Sequence, residues 1–61
     1  MNLSELIGLT ETDAVAKIKA AGMKSRVRVR DGQAFIGTAD YRLDRVNLSV
    51  ANNLVTGATL G

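Results

Sequence analysis

The sequence predicts an α+β domain in which one helix packs on a small sheet. Three observations point there. A capped apolar stripe with helical spacing lies within residues 11–21, and two short segments, 26–30 and 45–50, alternate with a period of two. Between those segments runs a stretch of about ten residues with neither period. At 61 residues and 6.5 kDa the chain holds one domain, residues 1–61.

Residues 3–8 are a short apolar lead-in ending at Gly8. Thr10 then caps a helix, with Asp13 three residues on at the capping-box position. Acids in the first turn suit the helix dipole. The helix runs over about 11–21; Ala14, Val15, Ile18 and Ala21 (or Ala20) form its apolar stripe, and Lys17 and Lys19 lie off it. Gly22 is placed to stop it.

Arg26-Val27-Arg28-Val29-Arg30 gives a strand over about 25–30, with Val27 and Val29 inward and the arginines outward. Those arginines read as a solvated face that also guards the strand against edge pairing. Asp31-Gly32 signals a turn, and the aperiodic stretch reads as an exposed loop over about 31–43. Arg45–Val50 alternates again, giving a strand over 45–50 with Val46, Leu48 and Val50 inward. Asn52-Asn53 turns the chain into a last edge strand over about 54–60, interrupted by Gly57.

Composition narrows the function. Hydrophobic residues make up 46%, too high for a disordered chain. Without cysteine there is no disulfide and no thiolate metal site. Without histidine, Ser4, Ser25 and Ser49 have no imidazole base to pair with. Glu5, Glu11, Asp13, Asp31, Asp40 and Asp44 show no metal-ligand spacing. The expectation is no enzyme, no cofactor and no metal. Loops of the length seen here are usually functional. A chain this short cannot enclose a pocket of several hundred cubic ångström and keep a core, so it displays its loop.

Eight Lys+Arg against six Asp+Glu give a net charge of +2. Lys17 to Arg30 contains basic residues and no acid, a pattern found in nucleic-acid footprints. Only Phe35 and Tyr41 could stack on bases, which argues against nucleic acid as the partner. No stretch reaches the roughly 18 apolar residues of a membrane span. Met1–Gly8 lacks the charged start and long apolar run of a secretory signal, and the compartment stays open.

At Tyr41-Arg42-Leu43-Asp44-Arg45-Val46 the chain resembles the potato inhibitor I family of serine-protease inhibitors, which includes the barley chymotrypsin inhibitor and the leech eglins. The likeness covers most of the chain. Glu5-Leu6-Ile7-Gly8-Leu9-Thr10 looks like the family's lead-in, Asp13-Ala14 and the apolar stripe like its helix, and Val27 and Val29 like its first long strand. Gly61 matches a glycine common at the end of family members. Asn47 and the ending Val55-Thr56…Leu60-Gly61 look closer to a smaller group of microbial inhibitors, which typically carry a disulfide.

The resemblance implies a mixed sheet whose two long strands are parallel and joined by an exposed binding loop. It implies a serine protease as partner, with Ile36, Gly37, Thr38, Ala39, Asp40 and Tyr41 as the contacting loop. Counted back from Tyr41, the scissile bond is Ala39–Asp40, and Ala39 fills the protease's main specificity pocket. A small alanine there suits subtilisin-type or elastase-type proteases. Thr38 and Asp40 would flank it, their side chains hydrogen-bonded from below by Arg45, with Asn47 and Arg42 as further support. Charge-assisted bonds of that kind order a loop before it binds. Counted from Gly32 instead, the bond is Gly37–Thr38; the arginine support ties the register to Tyr41.

The chain departs from the family pattern in a loop about two residues longer, in Gly37, and in Asn47 where a second supporting arginine stands. An alternative reading keeps the fold and makes it a non-inhibitory protein-interaction module. A basic nucleic-acid-binding domain is a third. Asp44 and Arg45 could also be an ordinary surface pair, and Phe35, Ile36 and Tyr41 could face either the scaffold or a partner. A monomer, or a weak homodimer through a strand edge, fits so small a core.

Overall fold

Helix α1 (Glu11–Ala20) packs on a four-stranded mixed sheet in the computed structural model, which describes residues 1–35, 37 and 40–61. The strands are β1 (Lys24–Arg30), β2 (Gln33–Ala34), β3 (Arg45–Ala51) and β4 (Leu54–Leu60), in the order β2-β1-β3-β4. β1 and β3 are parallel; β2 and β4 flank them antiparallel. The connection between the parallel pair is the long segment after β2, in the place where most folds put a helix.

The lead-in is a 3-10 turn, Leu3–Leu6, capped by the Asn2 side chain. Thr10 Oγ1 accepts the Asp13 N–H at 3.2 Å and starts α1. The helix closes as Gly22, at φ 76°, and Met23 donate back to Lys19 and Ile18. Leu6, Ala14, Ile18, Val46, Leu48, Val50 and Val55 form the core. Burying each large side chain among them contributes about 1.5–3 kcal/mol. The predicted stripe is narrower than its spacing suggests: Ala14 and Ile18 are buried, whereas Val15 and Ala21 are exposed. Leu6 from the lead-in joins Ile18 in the core in their place.

Two features differ from the alternation pattern. In the pairing of β1 with β3, Val27 stands opposite Leu48 but Val29 opposite Ser49, so Arg28 is an inserted residue. Val27 packs on the core; Val29 is half-buried and lines a groove with Ser49 and Gly57. The expectation that both valines point inward is corrected by that bulge. A second irregularity, between Ser49 and Val50, leaves Thr56 unpaired in β4, which runs unbroken through Gly57.

The other difference is β2, in the segment expected to be loop. Asp31 and Gly32 take φ of 51° and 79° and close a two-residue hairpin that pairs Arg30 with Gln33. Asn52 and Asn53, at φ 52° and 64°, make the matching turn between β3 and β4. The two turns are tied together: Asp31 Oδ1 accepts the Asn52 N–H at 2.8 Å. Glu11 joins them, its N–H on Asn53 O and its carboxylate gripping both Arg30 Nε and Nη2 at 3.0 and 2.8 Å. Arg30 is therefore paired rather than simply solvated.

Candidate functional site

Alternation along β3 sends Val46, Leu48 and Val50 to the core and leaves Arg45, Asn47 and Ser49 for the opposite face. On that face Arg26, Asn47, Gly61 and Arg45 make one continuous hydrogen-bonded chain that ends on the loop. Arg45 Nε donates to Gly61 O at 2.8 Å, and its Nη2 donates to Asp40 O at 3.0 Å. Asn47 Nδ2 donates to the same Gly61 O at 3.2 Å. Asn47 Oδ1 in turn accepts from Arg26 Nε at 3.1 Å. The planar fork of a guanidinium suits the double duty of Arg45, since its donors point in fixed directions.

Arg45 is the centre of the arrangement. Its side chain is only 12% exposed, so its bonds compete little with water. The expected bond to the Asp40 side chain takes a different form: the hydrogen bond goes to the main-chain carbonyl, while Asp40 Oδ1 lies 3.7 Å away as an ion pair. A carbonyl contact holds the backbone itself, whatever side chain stands there.

Gly61 is where Arg45 and Asn47 converge. Its N–H donates to Arg45 O at 3.0 Å. Its φ of 154° and its closeness to Asn47 and Tyr41 both call for glycine: a Cβ there would sit 3.0 Å from Asn47 Nδ2 and 3.5 Å from the Tyr41 ring. Tyr41 has one ring edge beside Gly61 yet remains 71% exposed.

Among the described residues, Asn47 and Arg42 bond to groups other than the contact loop. The Asn47 amide bonds to Gly61 and Arg26. Arg42 bonds to both carboxylate oxygens of Asp44, at 3.1 and 3.4 Å. This also corrects the Asp44–Arg45 pair, because Asp44 belongs to Arg42 and Arg45 to Asp40. The Arg42 hydrogen bond holds the Asp44 carboxyl below its ordinary value.

Arg26 is the site residue that the sequence pattern does not single out. It stands opposite Asn47 in the parallel register, and its guanidinium lies beneath Gly37. A Cβ on Gly37 would meet Arg26 Nη1 at 3.1 Å and Cζ at 3.3 Å, the movable end of that side chain. Burial, then the neighbouring Arg45 and Arg28 charges, press the Arg26 pKa below its ordinary value, against Asp40. It remains a cation at any physiological pH. The one signal available in sequence was the arginine row itself, which cannot say which strand lies opposite.

Of the expected contact loop, Gly37, Asp40 and Tyr41 are placed as above, and Ile36, Thr38 and Ala39 lie outside the described residues. Phe35, 39% exposed, packs its ring 5.5 Å from the Arg30 guanidinium carbon. Among the described residues no group of His, Cys, Asp or Glu could hold a metal ion, and no helix is long and apolar enough to cross a membrane.

No protein-family model, no curated protein and no solved structure matches the chain.

Proposed function

We propose that this chain is a substrate-like inhibitor of subtilisin-type or elastase-type serine proteases, presenting the loop around Ala39–Asp40 to the protease active site. One observation carries the reading most: the Arg45 guanidinium bridges Asp40 O in the loop and Gly61 O in the scaffold, at 3.0 and 2.8 Å. A loop that must enter an active site loses affinity in proportion to the freedom it gives up. Bonds from a shielded cation remove that freedom in advance.

The connection between two parallel strands supports the same reading. Both loop ends are fixed to the sheet, by Phe35 N–H on Arg28 O and Lys24 N–H on Asp44 O, each at 2.8 Å. The resemblance at Tyr41–Val46 supplies the protease as partner and Ala39 as the residue for its specificity pocket. Alanine leaves a large aromatic pocket partly empty, at about 1–3 kcal/mol for missing methylenes.

Titration against subtilisin, a pancreatic-type elastase and chymotrypsin tests the proposal. The expected order is tight inhibition of the first two and weaker inhibition of chymotrypsin. Absence of inhibition in all three would leave the fold as a protein-interaction module.

A further inference from the structure

We infer that the outer edge of β4, from Gly57 to Leu60, pairs with the same edge of a second copy of this chain. The inference stands apart from the inhibitor reading. It gives the weak homodimer expected from the small core an edge and a register. β4 ends the sheet, next to β3. At its start the lead-in covers its outer side: Gly8 N–H donates to Val55 O, and Val55 N–H to Leu9 O, each at 2.8 Å. Among the described residues that cover stops there. Beyond the far end Gly61 N–H turns inward to Arg45 O at 3.0 Å. Backbone groups alternate along a strand, so those of Leu60 and Ala58 turn outward, away from β3. Such an edge is a template for another strand, and charged residues or proline usually blunt it. β4 reads Leu-Val-Thr-Gly-Ala-Thr-Leu, without either. The opposite edge is guarded: β2 is only two residues long, and β1 beside it carries Lys24, Arg26, Arg28 and Arg30. That contrast argues for a second copy as the occupant. A two-fold pairing joins β4 to β4, leaves the guarded edges outermost and closes at two chains.

The outward groups set the register. Two antiparallel copies bond when Ala58 faces the partner's Leu60, with N–H and C=O exchanged both ways. The two-fold axis then passes by Thr59, which faces the partner's Thr59, and threonines opposite each other across strands are a favourable pair. Val46 stands opposite Leu60 and Leu48 opposite Ala58, so both side chains lie on the helix side of the sheet. Leu60, 40% exposed, gains the partner's Ala58 as cover. Gly57 faces the partner's Gly61, with no side chain on either. The bulge at Thr56 and the Gly8–Leu9 segment end the pairing at the start of the strand. So short an edge falls below the roughly 1,200 Å² of a standard interface, and the dimer is weak and reversible.

The test is sedimentation equilibrium of the whole chain from micromolar to millimolar concentration, with amide exchange followed in parallel. The mass is expected to rise from one chain toward two, and exchange at residues 58 and 60 to slow with it. Thr59→Lys and Thr59→Glu are each expected to weaken the dimer about fivefold, since like charges then meet at the axis. Thr59 is exposed, so both variants should melt near the wild type. An equimolar mixture of the two should recover the dimer, because position 59 faces itself. A wild type that stays monomeric at millimolar concentration, variants that dimerise as it does, or a mixture no better than either variant alone overturns the inference. Growth past two chains overturns it too, since the other edge would then be pairing. Protection of amides 58 and 60 that appears only on adding a protease would give the edge to that partner instead of a second copy.

Discussion

Arg26 on β1 and Asn47 on β3 face each other across the parallel pair, and the guanidinium Nε donates to the amide oxygen at 3.1 Å. The other end of that amide donates to Gly61 O at 3.2 Å. A short neutral side chain thus links β1, β3 and the residue that follows β4, accepting a hydrogen bond from a cation on one side and donating one on the other. Its O and N assignment follows from this pairing, since the flipped amide would face donor with donor and acceptor with acceptor.

Asn47→Leu keeps the branching of the side chain, adds some bulk and removes both bonds. At 9% exposure Asn47 has little water to fall back on. The loss should be about 1–3 kcal/mol, the cost of leaving buried polar partners unmet. Urea unfolding checks it: the midpoint should fall with the slope unchanged.

Gly61→Ala should weaken the site through two effects. The φ of 154° is costly for an L side chain, and the new methyl would press on Asn47 Nδ2 at 3.0 Å. About 1–3 kcal/mol of strain is expected. On the inhibitor reading, inhibition should weaken along with stability, because Gly61 O is the shared acceptor of Arg45 and Asn47. Calorimetry and an inhibition titration of the same sample measure both.

Acid should loosen the Arg42–Asp44 clamp. The Asp44 carboxyl is held below its ordinary 3.8 by the Arg42 hydrogen bond, so folding favours its charged form. Its contribution is complete well above 3.8 and is lost as the pH falls through the lower folded value. Side-chain carboxyl NMR titration should show Asp44 moving up toward the ordinary value in Arg42→Ala.

The helix offers an internal contrast. Ile18→Ala opens a cavity at a fully buried site and should cost about 2–5 kcal/mol. Stabilities of about 5–15 kcal/mol are usual, and a domain this small sits at the low end, so that variant should populate the unfolded state even without denaturant. Val15→Ala, one turn away and 36% exposed, should stay within about 0.5 kcal/mol. Circular dichroism melts of the two separate them.

Much of the fold was legible because local signals agree with it. Thr10 and Asp13 mark the helix start, and Val46, Leu48 and Val50 alternate into the core as their spacing says. β2 was not legible, since two residues cannot display a period. The bulge at Arg28 was hidden for the opposite reason: Arg26 to Arg30 alternates without a flaw, and only the pairing with β3 reveals the inserted residue. In the site, Arg45 stood out through its neighbours Tyr41–Val46. Arg26 did not, because its role depends on which β3 residue the register sets opposite it. Gly37 stood out only as a departure from the family pattern; that it lies beside the Arg26 guanidinium depends on the fold.

The inhibitor reading is tested most directly by long incubation of the chain with a catalytic amount of subtilisin, followed by mass spectrometry. The account predicts slow and partial cutting at Ala39–Asp40, with intact and cut chain both persisting while the protease stays inhibited. Cutting at Gly37–Thr38 with inhibition intact would keep the function and move the register. Rapid digestion to small peptides, or an untouched chain beside a fully active protease, would contradict it.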